Sequence, residues 1–117
     1  MNDEIKAIVK TIYDSIDDKQ GDDIKILNLT GLSPIADYFV IATAGSDRQA
    51  KAIVKEIEDN LAKRSVFARG REGLSGATWI LLDFGDVIVH IFKGEERKFY
   101  DLERIWKDAK DEKIENL

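Results

Sequence analysis

The chain has no cysteine, one proline and one histidine among its 117 residues. Without cysteine there is neither a disulfide nor a thiolate metal site, so a packed core alone must hold the fold. One histidine backed only by carboxylates is an unusual zinc ligand set, which argues against a zinc centre. Long apolar runs are missing too. Tyr38–Ala44 and Trp79–Leu82 are far too short to span a bilayer. The start, Met1-Asn2-Asp3-Glu4, has neither the basic residues nor the apolar stretch of a secretory signal. A cytoplasmic protein with no membrane partner is expected, in keeping with the lack of disulfides. Positive charge is in deficit: 18 Lys and Arg stand against 23 Asp and Glu, for a net charge of −5. Phosphate contacts supply much of nucleic-acid affinity, so such a chain makes a poor general nucleic-acid binder.

What is present fits one small globular domain, with 44% hydrophobic and 35% charged residues. Ile5, Ile8, Val9, Ile12 and Ile16 recur at helical spacing, predicting a helix over residues 3–19 that ends at Gly21. Ile24–Leu29 is a short strand candidate, followed by a loop through Pro34. Asp37–Ala44 is β-branched, aromatic and almost continuously apolar, as a central strand buried on both faces should be. A second helix opens after Gly45. Ser46 and Gln49 have capping-box spacing, and Ala50, Ile53, Val54, Ile57 and Leu61 form its buried stripe.

Residues 65–70 are a further strand candidate, and 71–76 a glycine-containing connection. Ala77–Leu82 and Val87–Phe92 are two strong strand candidates around a turn at Asp83-Phe84-Gly85-Asp86. A last helix is expected from Glu95 to Lys110, with Phe99, Leu102, Ile105, Trp106 and Ala109 on one stripe. The order α-β-β-α-β-β-β-α implies an α/β fold: a mixed sheet packed with helices. The domain is expected over residues 5–109, with 110–117 a polar, frayed tail.

Candidate chemistry is sparse. His90 has no nominated nucleophile beside it, so a half-buried strand histidine or a partner contact is preferred over a catalytic one. Gly45-Ser46 between a strand and a helix could cradle a phosphate, but the capping box accounts for both residues without a ligand. The same strand–Gly-Ser–helix pattern is shared with nucleotidyltransferases. Those enzymes need carboxylates converging on metal, and Asp83 and Asp86 lie three apart across a turn. Arg48, Lys51, Lys55, Lys63, Arg64, Arg69 and Arg71 face only Glu56, Glu58 and Asp59 within residues 48–71. That local basic surface reads either as a solvated helix face or as a nucleic-acid contact.

The hairpin is more informative. With Phe84 and Gly85 as the central turn residues, Asp83 faces Asp86, Leu81 faces Ile88 and Trp79 faces His90, all on one side of the ribbon. The other side carries Ile80, Leu82, Val87, Val89 and Ile91. Both faces are apolar, so one packs on helices and the other needs a second cover. A binding partner would supply it, with Trp79 as the anchor and Phe84 at the tip. So would the C-terminal helix, through Trp106. Opposed Asp83 and Asp86 would be costly and would welcome a cation.

Several segments resemble one family. They are Ala36-Asp37-Tyr38-Phe39-Val40-Ile41-Ala42-Thr43, Ser46-x-Arg48-Gln49, Glu72-Gly73, the long block from Gly76-x-x-Trp79 to Phe92, and Arg97-x-Phe99-Tyr100-x-Leu102-Glu103-x-Ile105-Trp106. Together they are similar to the ribosomal silencing factor family, RsfS, also called Iojap, from about Ile5 to Ala109. The resemblance implies a nucleotidyltransferase-like fold without that activity and without a cofactor. It implies binding to ribosomal protein fourteen of the large subunit, on the subunit-joining face. Small-subunit docking is then blocked, and translation is damped when nutrients are scarce. Some members of the family are homodimers. Trp79 and Phe84 match positions tied to the ribosomal-protein contact; Leu81, Asp83, Asp86 and His90 join them from the hairpin register. The runner-up is a nucleotide-binding enzyme of the nucleotidyltransferase type.

Overall fold

The computed structural model describes residues 2–75 and 78–117. Gly76 and Ala77, which close the predicted connection and open the predicted strand, lie outside the described residues. The elements are helix α1 (Asn2–Asp18), strands β1 (Asp22–Asn28) and β2 (Tyr38–Ala44), and helix α2 (Asp47–Ala62). Strands β3 (Gly70–Glu72), β4 (Trp79–Asp83) and β5 (Val87–Lys93) follow. The chain closes with helices α3 (Glu96–Tyr100) and α4 (Leu102–Ile105), strand β6 (Lys110–Glu112) and a 3-10 turn, Ile114–Asn116. The expected α/β class with a mixed sheet holds. The six strands run in the order β3-β4-β5-β2-β1-β6. β2 and β5 are parallel at the centre, and the other neighbours are antiparallel.

Strand alternation sorts the core into two layers. Tyr38, Val40, Ala42 and Ala44 of β2, Ile80 and Leu82 of β4, and Val87, Val89 and Ile91 of β5 meet the stripes of α1 and α2. The stripe predicted for α2 is the buried one. Leu27, Phe39, Ile41, Ile88 and Phe92 point the other way and pack with Leu102 of α4. Buried Ser15 ties the two long helices together: its hydroxyl donates to the Thr11 carbonyl at 2.7 Å and accepts from Asn60 at 2.9 Å.

The capping box at α2 forms as predicted and reaches further. The Gln49 amide donates to Ser46 Oγ, while its side-chain oxygen accepts from the Gly45 amide. Its side-chain nitrogen donates to the Lys19 and Gln20 carbonyls at the end of α1. There Gln20, not Gly21, takes the left-handed conformation, with φ 63°. The Gly21 amide reaches back to the Ile16 carbonyl at 2.9 Å, and that of Gln20 to Asp17. Gly21 is needed for space instead: a Cβ there would collide with Ile16 Cγ2.

Four expectations are corrected. Residues 65–69 are not a strand; the short β3 begins at Gly70. The C-terminal helix is not continuous, because Asp101 sits in the left-handed region at φ 51° and breaks it in two. Phe99 and Ile105, assigned to the buried stripe, are consequently 78% and 65% exposed. The tail is not frayed: β6 pairs with β1, Ile26 opposite Glu112 and Asn28 opposite Lys110. Ile114 and Leu117 then pack against the helix-side core.

Deleting residues 110–117 should therefore lower unfolding free energy by roughly 2 to 4 kcal/mol, since it uncovers β1 and removes two partly buried apolar side chains. Urea titration checks this; an unchanged midpoint would mean the tail contributes nothing to the fold.

Candidate docking face

Among the described residues, the sheet face away from α1 and α2 has two short helices, α3 and α4, to cover it. α3 and α4 hold their place through Arg97, whose guanidinium is almost fully buried. Its Nη1 donates to the Asp23 carbonyl at 2.6 Å and to Thr43 Oγ1 at 3.0 Å. Its Nε and Nη2 both donate to one oxygen of Glu103, at 3.1 and 2.9 Å. A buried cation must be paired and fully hydrogen-bonded to be tolerated. One side chain thus joins β1, β2 and both short helices. Asp23 presents its carbonyl from an irregularity in β1, where its φ is 51°.

Over this frame lies an aromatic cluster. Tyr100 packs on Trp79 with ring centroids 4.5 Å apart, and Trp106 meets Phe39 edge-on at 5.9 Å. The Trp79 indole Nε1 donates to Nδ1 of His90 at 3.0 Å. That bond sets the tautomer: Nδ1 accepts, so the ring proton is on Nε2. Nε2 has no hydrogen-bond partner among the described residues, and the ring stands edge-on to Phe39 at 4.5 Å. Burial among these rings lowers the His90 pKa from 6.5 to about 4.

The predicted site residues divide accordingly. Trp79, Leu81 and Asp83 share this face and are half-buried. His90 lies on the same face but is buried, so it supports Trp79 from within the layer. The predicted register is overturned. Trp79 stands opposite Phe92, Leu81 opposite His90 and Asp83 opposite Ile88. The two-residue turn is Gly85-Asp86, with Gly85 at φ 89° in the first central position, where hairpin turns accept glycine. The Phe84 amide donates to the Val87 carbonyl across it. Moving the turn centre by one residue shifts every pair by two, so each side chain keeps its face and changes its partner.

Two consequences follow for the turn residues. Phe84 is not exposed at a tip; it is 8% exposed and packs in the helix-side core. Asp83 and Asp86 are not opposed. Asp83 Oδ1 accepts from the Gly85 amide at 2.8 Å, while the Asp86 carbonyl accepts from the amides of Asp37 and Tyr38. Sequence reasoning had no reason to single out Tyr100 or Arg97 for this face; the resemblance alone included them, within Arg97-x-Phe99-Tyr100.

Several large apolar side chains stay in solvent. Phe99, Tyr100 and Ile105 lie on the covering helices, and Leu32 and Ile35, the latter 71% exposed, lie in the loop before β2. Among the described residues no His, Cys, Asp or Glu group has the arrangement of a metal site. No helix there is long and apolar enough to cross a membrane.

Comparison with known proteins agrees along the whole chain. The family model described as "Ribosomal silencing factor during starvation" matches residues 2–117. The ribosomal silencing factor RsfS of Bacillus subtilis is 42% identical over 104 residues, which is 89% of this chain and 88% of that protein. RsfS of Zymomonas mobilis is 43% identical over 101 residues, 86% of this chain and 76% of that protein. Among solved structures, one from Chromobacterium violaceum superposes with a TM-score of 0.85 at 33% identity, covering 88% of this chain and 86% of its own.

The His90 site makes a pH prediction. In the unfolded chain His90 binds a proton below about pH 6.5, whereas in the fold it does so only below about pH 4. Its stabilising contribution is therefore complete above pH 6.5 and is lost as pH falls toward 4, by about 3 kcal/mol in all. Denaturant titrations of wild type and His90→Gln across this range should show a wild-type slope near one proton that the variant lacks. Parallel curves would mean His90 titrates normally in the fold.

Proposed function

Because the chain belongs to the ribosomal silencing factor RsfS family, we propose that it represses translation by occupying the large ribosomal subunit and keeping the small subunit from joining. Its partner in this reading is ribosomal protein fourteen of the large subunit, and its setting is the cytoplasm under nutrient limitation. The mechanism is steric: a bound domain stands where the other subunit must dock, with no bond made or broken and no cofactor used. Self-association and a peripheral contact with ribosomal RNA belong to the same reading.

One observation carries the assignment of the docking face. The sheet layer built on Trp79 and Leu81 is covered by short helices that leave both residues half-exposed and that carry Phe99, Tyr100 and Ile105 into solvent. Exposed apolar groups gathered around an aromatic anchor are what a protein interface requires. Asp83 stands on the same face and Asp86 is exposed in the adjoining turn, giving the face an acidic margin for a basic ribosomal protein. Phe84 and His90 act in this reading from beneath, by holding the turn and the Trp79 ring.

Subunit joining followed by light scattering tests the function: saturating protein should suppress it, and undiminished joining would contradict the proposal. Trp79→Ala should weaken large-subunit binding by about 2 to 4 kcal/mol. Trp79 also carries the His90 hydrogen bond, so Phe99→Asp, at a position 78% exposed, is the cleaner probe. It should reduce affinity at least tenfold, by about 1.4 kcal/mol or more, with a thermal midpoint near wild type. Full affinity in both variants would place the interface elsewhere.

A further inference from the structure

Basic residues run along α2 as Arg48, Lys51 and Lys55 and continue past its end, where no acid is interspersed. Residues 60–71 hold Lys63, Arg64, Arg69 and Arg71 and no acid, although the chain carries 23 acids against 18 bases. On α2 itself Lys55 is paired with Asp59 at 2.7 Å. In the segment beyond it, Arg71 meets Glu58 at 3.4 Å, while Lys63, Arg64 and Arg69 are exposed and make no ion pair with the described residues. Between them Phe67 stands 67% exposed. Beside it is a cavity of about 320 Å³, walled by Phe67, Val66, Ala68 and Arg71 and reaching Phe84. The Arg69 amide donates to the Asp83 carbonyl at 2.7 Å, so this segment is fastened to the β4–β5 hairpin.

We infer that residues 63–71 form a second contact, for RNA: Lys63, Arg64 and Arg69 bind backbone phosphates, and Phe67 offers its ring to an unpaired base. The inference rests on the ribosome-binding reading and adds to it a separate surface with a different chemistry. Three features select RNA over an acidic protein surface. Two of the three free cations are arginines, whose planar guanidinium matches phosphate oxygens in pairs. An exposed aromatic ring among cations is a stacking platform for bases. The rest of the chain has more acids than bases, so phosphate attraction is stronger at this acid-free segment, which helps to orient the domain. Glu58 and Asp59 at the cavity are already engaged by Arg71 and Lys55, which limits their repulsion of a phosphate.

The test uses the full chain, purified large ribosomal subunits and, in parallel, isolated ribosomal protein fourteen, over a salt series. Lys63→Gln/Arg64→Gln/Arg69→Gln should bind subunits about tenfold to a hundredfold more weakly, with a salt slope smaller by roughly two to three. Its affinity for the isolated protein should be unchanged. A photoreactive phenylalanine analogue at position 67 should crosslink to RNA on the subunit. If wild type binds but the triple variant keeps its affinity and slope, the inference fails alone. Equal loss against the isolated protein, or a crosslink only to protein, assigns the segment to a protein surface and also overturns it. If wild type does not bind subunits at all, the functional reading falls and this contact falls with it.

Discussion

The parallel pairing of β2 with β5 is the constraint from which the rest of the structure follows. Tyr38 through Ala44 stand beside Val87 through Lys93 in one unbroken register. Both strands are apolar on both faces, so each face must be taken from water. α1 and α2 cover one side with two long stripes. Among the described residues there is no third long helix for the other. The chain closes that side with two short helices, which leave Trp79 and Leu81 half-buried and carry Phe99 and Ile105 into solvent. A fold that buries one face completely and the other partly is suited to docking, because the remaining apolar area is already built on a rigid sheet.

Such a thin cover must be fastened by something other than area. Arg97 does this by joining the irregular start of β1, the end of β2 and Glu103 through one guanidinium. The left-handed Asp101 is part of the same arrangement. It turns α4 back toward the sheet, so Leu102 and Trp106 reach Phe39 and Leu27 while Tyr100 reaches Trp79. Trp79 is in turn held by His90, which is neutral in its aromatic surroundings at physiological pH. The candidate anchor is thus preorganised by a hydrogen bond below and a tilted ring packed beside it.

Much of this was legible in the sequence. The helical stripes of α1 and α2, the doubly buried central strand and the capping box at Ser46 depend on local periodicity and on short-range hydrogen bonds, and each is where the pattern put it. The face shared by Trp79, Leu81 and Asp83 survived as well, since a shift of two residues preserves strand parity. The failures have a common physical cause. Whether Gly85 came first or second in the turn depends on backbone twist. Phe84 was drawn inward by a core built from distant residues. The break at Asp101 and the pairing of β6 with β1 are tertiary choices, made by Arg97 and by an uncovered sheet edge. No window of local sequence contains those partners.

The central claim is that the partly covered aromatic face is where the ribosome is met. Hydrogen–deuterium exchange of the chain, free and saturated with large subunits, addresses it most directly. Binding should slow exchange across Trp79–Asp83 and across α3 and α4, and leave the amides of α1 unchanged. Protection confined to α1 and the outer side of α2, with 79–83 and 96–106 exchanging as in the free chain, would contradict it.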